Sequence, residues 1–242
     1  MKELSRRILN GIRKVSAGLT PFGESVWPGV RNDLFVAHES IYYYASRFAA
    51  EESVLDAGCG TGYGSYLLAT RGARSVLGID LDRRNIRYAR RQYSASNLTF
   101  SIADLENLDF PDSSFGFAIA SNSLEHLIAP SRFLNSLRRM LRAQGRALIA
   151  VPPIYSELDF RTHSGIHYHR TNLTVTDWAH MIAEAGFVLS AVSHHSTKAP
   201  NFDSHLPSSL SQDDFVFARV PIDRLLNEPS ITAMFLVESA AA

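Results

Sequence analysis

Asp56, Gly58, Gly60 and Gly62 stand in the run Val54-Leu55-Asp56-Ala57-Gly58-Cys59-Gly60-Thr61-Gly62-Tyr63-Gly64, the strongest chemical signal in the chain. Glycines at alternate positions let a backbone approach a ligand closely, because no Cβ stands in the way. A phosphate-cradling loop would need Gly-Lys-Ser/Thr, which the run lacks. The dinucleotide fingerprint G-x-G-x-x-G, counted from Gly58, would need glycine at 63, where the chain has Tyr63. Asp56 lies two residues ahead of the glycines. A carboxylate there repels a pyrophosphate and suits a cationic amino group. The expected ligand therefore has an amino-acid end rather than the diphosphate of NAD.

Two more acids extend the pattern. Asp80 ends the next apolar run, roughly twenty residues on, where an acid can accept hydrogen bonds from a ribose diol. Asp104 ends the third such run and suits the amino group of a base. One acid at the end of a strand is usually a helix cap. Three in succession, behind a glycine turn, are a more specific signal.

Glu125 and His126 follow the fourth apolar run and would face the same crevice. An imidazole can take a proton near neutral pH, so His126 is the candidate catalytic base, with Glu125 beside it for the acceptor. His163, His167 and His169 form H-x3-H-x-H around Gly165. Three imidazoles could ligate a metal. Gly165 interrupts any helix there and no companion acid follows at fixed spacing, so these histidines are expected to line an acceptor pocket with Arg170, and no metal is expected. His194 and His195 read as structural, and Cys59 as a small buried residue. Tyr42 to Tyr44 read either as core packing or as part of a lid.

These residues need a scaffold, and the chain supplies an alternation. Apolar runs at Ser53–Cys59, Ser75–Asp80, Leu98–Asp104, Phe115–Ser123, Gly145–Val151, Phe187–Ser193 and Ile231–Glu238 read as seven strands. Helical patterns at Tyr63–Gly72, Asp82–Ser94, Ser131–Arg142 and Asn172–Ala185 fall between them, with another at Phe35–Ala50. Such alternation argues for an α/β fold, a doubly wound, mainly parallel, Rossmann-like sheet with helices on both faces. Residues 1–50 read as an N-terminal helical cap and 51–242 as the binding domain, with an insertion near 196–230 rich in Ser, Pro and Asp. At Met1–Val15, Leu4, Ile8, Ile12 and Val15 share one helical face with basic residues elsewhere; such a helix packs on its own domain or lies on a membrane surface.

Composition narrows the partners. The 24 basic and 24 acidic residues cancel, so there is no basic field to draw nucleic acid. A single cysteine excludes a disulfide framework and a multi-cysteine zinc site. No apolar run approaches the ~20 residues of a membrane span, and no secretory leader is visible. A cytoplasmic location is expected, and a homodimer is compatible with these features.

From Ser53 to Gly186 the chain resembles class I S-adenosylmethionine (SAM) dependent methyltransferases. VLDAGCGTGYGS is similar to their first motif, GIDLD to the second, and IADLENLDFPDSSFGFAIASNSLEHL to the stretch through the third and fourth strands. RRMLRAQGRALIAVPP is similar to the fifth-strand segment. The resemblance implies that the last strand is antiparallel and that SAM is the cofactor. It implies that Asp56 and the backbone of Gly58–Gly62 hold the methionine moiety, and that Asp80 binds both ribose hydroxyls. Leu81 would pack on adenine, Asp104 would receive its amino group with Leu105 alongside, and Asn122 would face the sulfonium.

Two departures are Gly116 after Phe115, where the family often has Asp, and Ala143-Gln144-Gly145 in place of Pro-Gly-Gly. Gly-Tyr-Gly-Ser and Glu125-His126-Leu127 resemble methyltransferases of sugars and cell-surface glycans, whose upstream His-x-x-Arg-Tyr is matched by His38 and Tyr42 but not by Ile41. Glu125-His126 also resembles a pair with which quinone-biosynthesis O-methyltransferases help bind a divalent metal; that pattern has an acid where this chain has Asn122. The implied function is methyl transfer to an oxygen, less readily a nitrogen or carbon, of a small molecule or glycan. The competing expectations are a SAM-binding domain without turnover and a nicotinamide oxidoreductase, the latter opposed by Asp56 and Tyr63.

Overall fold

A computed structural model describes residues 29–166, 168–202 and 206–239. The helix expected at Met1–Val15 lies outside them, as does His167. Helix α1 (Asp33–Ala49) starts where the Asn32 side chain accepts a 2.9 Å hydrogen bond from the Phe35 N–H, a standard way of satisfying one of the first unpaired amides. Strand β1 (Ser53–Ala57), α2 (Tyr63–Thr70), β2 (Ser75–Asp80), α3 (Arg83–Gln92) and β3 (Leu98–Ile102) then alternate. They are followed by β4 (Phe115–Ser121), α4 (Pro130–Met140), β5 (Leu141–Val151), α5 (Glu157–Ser164) and α6 (Val175–Glu184). The chain closes with β6 (Phe187–Ser196), β7 (Phe215–Val220), α7 (Ile222–Asn227) and β8 (Ala233–Ser239).

The strands form one sheet in the order β3-β2-β1-β4-β5-β8-β6-β7. Neighbours from β3 to β5 pair in parallel, while β8 is antiparallel to both β5 and β6. The expectation of an antiparallel last strand is met. The expected seven strands are eight, because β7 adds to the edge, antiparallel to β6. Phe215 is buried and Phe217 and Val220 are half-buried in β7; its short apolar run lies within the Ser-, Pro- and Asp-rich stretch read as an insertion, which hid it.

Both sheet faces are covered. Leu55, Ala57, Ile149 and Val151 face a core closed by Phe133, Leu137 and Met140 of α4 and Trp178 and Ile182 of α6. Val54, Phe117, Ile119 and Leu148 face the opposite core, closed by Ile41, Tyr44 and Ala45 of α1 and Leu68 of α2. Residues 54 and 55 point opposite ways, as the two-residue strand period requires. Helix α1 is thus part of the main core. Its first turns also pack on the 196–230 stretch, where Phe202, Leu210 and Phe215 join Val36, Ala37 and Ile231 in a third cluster. Gly116 has its own reason: a Cβ there would run into Glu52 and Arg142, which form an ion pair beside the start of β4.

Among the described residues no helix is long and apolar enough to cross a membrane. The order of connection reverses between β1 and β4, which lie side by side. At such a switch point the carboxyl ends of the strands open a crevice where ligands bind.

Candidate active site

The glycine turn fills that crevice. Gly58 and Cys59 both donate backbone hydrogen bonds of 2.9 Å to the Ile79 carbonyl, tying the turn to β2. Gly58 has φ +78° and packs so tightly on Ser123 that a Cβ would approach the Ser123 Cβ to 2.5 Å. Gly62, at φ +87°, starts α2 against Ala89 and Phe100. Only glycine meets both demands at either position.

Asp80 organises the other side of the turn. Its Oδ2 accepts 2.9 Å from the Gly60 N–H, and its Oδ1 accepts 2.7 Å from the Asp82 N–H and 3.3 Å from Asn85 Nδ2. Burial raises its pKa, and those three bonds oppose the rise. Asp80 nevertheless reaches the wall of a cavity of about 530 Å³, together with Gly58, Gly60, Leu81, Asp104 and Leu105. Asp104 caps a short turn, accepting from the Glu106 N–H at 2.9 Å and Asn107 Nδ2 at 2.6 Å. Leu81 is 68% exposed, an apolar face with room for a planar ring. Asn122, at φ +48° beyond β4, lines the cavity farther along.

Asp56 and Gly62 stand behind the wall rather than on it. Asp56 is fully buried, and its oxygens are occupied by Ser65 Oγ at 2.6 Å and the Tyr42 hydroxyl at 3.1 Å. Burial pushes its pKa up to about 7, against the pull of those two donors. The residue braces the glycine turn from below. Tyr42 belongs both to the core and to the cavity wall, so the two alternatives for the tyrosine cluster meet in one side chain. His38, one helical turn before it, lines the cavity as well, and burial lowers its pKa to about 4.

The far end of the cavity gathers Glu125, His126, His163 and His169. Main-chain bonds hold this end together: the Glu125 carbonyl accepts from the Arg170 N–H at 2.8 Å and the Thr171 N–H at 3.0 Å. The His126 ring contacts that of His169 edge-on at 5.3 Å, and His169 stacks on His163 at 5.5 Å. Burial lowers the pKa of His163 to about 4 and of His169 to about 3, in the latter with help from the neighbouring imidazoles. Burial raises that of Glu125. Buried polar atoms without a hydrogen-bond partner concentrate here: Glu125 Oε2, both His163 nitrogens and His169 Nδ1. Buried polar groups are almost always satisfied, so these atoms are suited to a polar partner entering the cavity. Phe202, Ile231 and Thr232 also line the cavity. Their sequence neighbourhood carries no motif that would have singled them out.

Residues 55–149 match the family model described as a methyltransferase domain. The chain carries a methyltransferase domain. A probable SAM-dependent methyltransferase of Mycolicibacterium smegmatis is 30% identical over 167 residues, 68% of this chain and 64% of that protein. The chain thus spans just under two thirds of that relative's length. An O-methyltransferase of Penicillium expansum, cnsE, is 36% identical over 106 residues, 42% of this chain and 38% of its own. A SAM-dependent methyltransferase structure from Mesorhizobium loti superposes with a TM-score of 0.64 at 17% identity, covering 86% of this chain and all of that one (100%). The methyltransferase domain thus includes the glycine turn, Asp80, Asp104, Glu125 and His126. The cofactor of this family is SAM. The residues present suit it: the Asp80 carboxylate can accept from a diol, Leu81 offers an apolar surface, and Asp104 adds a second carboxylate to the cavity wall.

Proposed function

We propose that this chain is a SAM-dependent methyltransferase that methylates an oxygen of a small molecule or glycan. The observation that carries the reading is Asp80, held by the Gly60 N–H at the switch point while still reaching the cavity. Asp80 binds the ribose hydroxyls, Leu81 and Leu105 flank the adenine, and Asp104 receives its amino group. The backbone of Gly58 and Gly60 and the side chain of Asn122 hold the methionine end. Asp56 and Gly62 act indirectly, by keeping the turn in shape.

SAM, when bound, supplies a methyl group on a sulfonium, which an oxygen displaces in line while the C–S electron pair stays on sulfur. The protein's part is to place the acceptor and exclude water, a contribution of alignment rather than of new bonds. Glu125, His163, His167 and His169 bind the acceptor, and His126 handles the hydroxyl proton that must leave. Helix α1 and Phe202 help enclose the cavity around the ligands. The O-methyltransferase among the relatives supports oxygen as the target.

Titration calorimetry with SAM, with its demethylated product and with NADH tests the cofactor. Binding of the SAM pair and not of NADH is the expected result, and heat with NADH alone would overturn it. Transfer of label from methyl-labelled SAM to hydroxyl acceptors then tests turnover.

A further inference from the structure

One ligand atom from each of Glu125, His126 and His169 lies within 4.8 Å of the other two. The chain brings them together from two segments. Glu125 and His126 sit in the turn after β4, and His169 sits after α5, held opposite by the Arg170 and Thr171 amides on the Glu125 carbonyl. The His126 ring is oriented as well. Its Nδ1 lies 3.2 Å from the Tyr168 carbonyl oxygen, which can only accept, so Nδ1 carries the proton and Nε2 is the basic nitrogen. An imidazole whose far N–H is fixed by a carbonyl is the arrangement found behind metal-bound histidines.

The carboxylate is the second, independent observation. Glu125 is 3% exposed, and its Oε2 accepts no hydrogen bond. A buried carboxylate oxygen without a hydrogen bond is a costly polar defect. His169 Nδ1 is likewise buried without a partner. Two of the three members of one triad therefore each carry a buried polar atom without a hydrogen bond.

We propose that Glu125, His126 and His169 bind a divalent transition-metal cation at the acceptor end of the cavity. Two imidazoles and one carboxylate favour Zn2+ and its neighbours over Mg2+ or Ca2+, which prefer all-oxygen sets. Zn2+ bonds of ~2.0–2.2 Å put adjacent donors ~3.3–3.6 Å apart, so small side-chain rotations close the set. Three protein ligands leave the cation open positions, as in catalytic rather than structural sites. The proposal deepens, and rests on, the methyl-transfer function proposed above: the open positions take an acceptor with two adjacent oxygens, a vicinal diol, a catechol or a hydroxyl beside a carbonyl. The cation makes the bound hydroxyl acidic, and its proton passes to water at the exposed rim by Tyr168 and Arg170. His126 then serves the hydroxyl as a ligand of the cation instead of taking the proton itself.

The test uses the full chain without a histidine tag, stripped with chelator, and needs no acceptor. Titration with Co2+ followed by visible absorption, and with Zn2+ by calorimetry, should show one tight site per chain. His169→Ala and Glu125→Gln should each weaken it by about 100-fold, at or beyond the upper end of losses seen on changing groups that merely support a ligand. SAM affinity, measured on the same samples, reports whether each variant is folded. No tight site in the wild-type chain, or a site unchanged in both folded variants, overturns the proposal. If SAM binds and Co2+ does not, the cation site alone fails. If Co2+ binds and SAM does not, the methyl-transfer function fails and the cation site stands.

Discussion

The Tyr42 hydroxyl on α1 donates a 3.1 Å hydrogen bond to Asp56 Oδ1 beneath the glycine turn. The Tyr42 ring fits there because position 64 has no side chain; a Cβ on Gly64 would collide with it. Ser65 takes the other Asp56 oxygen at 2.6 Å. The first helix of the core and the cofactor turn are therefore one mechanical unit, joined through a fully buried carboxyl group.

Gly64→Ala should destabilise the protein by roughly 1–3 kcal/mol, the usual cost of overpacking. Denaturant midpoints check this, and a second background makes it specific. With Tyr42→Ala the added methyl group has space, so the penalty of Gly64→Ala should shrink by at least half. An equal penalty in both backgrounds would separate Gly64 from Tyr42.

Asp80→Ala should weaken SAM binding by more than about 100-fold, given roughly 1.5–3 kcal/mol for each of two hydrogen bonds to a charged group. It should also lower stability modestly, because Gly60, Asp82 and Asn85 lose their shared acceptor. Calorimetry of the folded variant gives the answer. Wild-type affinity would remove Asp80 from the ribose.

Leu81→Ser isolates the apolar contact. Leu81 is largely exposed and packs on little, so the unfolding midpoint should stay within about 0.5 kcal/mol of wild type, as for ordinary surface changes. SAM affinity should fall about tenfold, from losing about 1.5 kcal/mol of apolar burial. A drop in stability without a drop in affinity would place the side chain in the fold and not in the site.

His194 supplies a pH prediction. It is fully buried, stacked on Phe217 at 4.5 Å, with Nε2 3.3 Å from Ser40 Oγ. Burial lowers its pKa to about 3, with smaller contributions from His38 and His195. Below pH 6.5 the unfolded chain therefore binds a proton that the folded chain refuses, and stability falls as pH drops from about 6.5 toward 3. His38, His163 and His169 act in the same direction. Asp56 acts in the opposite one, because its raised pKa favours the folded state below about pH 7. His194→Gln should make the acid side of the stability profile less steep in urea titrations from pH 7 to 5. An unchanged slope would remove His194 from the acid response.

Much of the cofactor side was legible because its signals are local. Asp80 and Asp104 each end a run of residues that pairs into the sheet, and both reach the cavity. Asp56 was legible as part of the motif but not in its placement. Strand parity puts it on the same face as Val54, toward α1 and α2, where Tyr42 and Ser65 enclose it. Strand β7 escaped because its six residues, Phe215–Val220, lie within the long Ser-, Pro- and Asp-rich stretch read as an insertion. That Glu125 and His169 share one pocket was expected, but their direct approach was not legible, since it depends on how the segment after β5 folds back, including a helix, α5, that begins where the Ser156 hydroxyl accepts from the Asp159 N–H.

The clamp between the two halves of the acceptor wall is made of main-chain atoms, Glu125 carbonyl to the amides of Arg170 and Thr171. Any residue except proline can occupy positions 170 and 171 and still donate those bonds. Most of the wall's side chains can therefore change while this clamp holds, although the Thr171 hydroxyl adds a bond of its own to the Leu127 carbonyl. A lineage could retool this end of the cavity for new acceptors, one substitution at a time, while the cofactor end stays as it is.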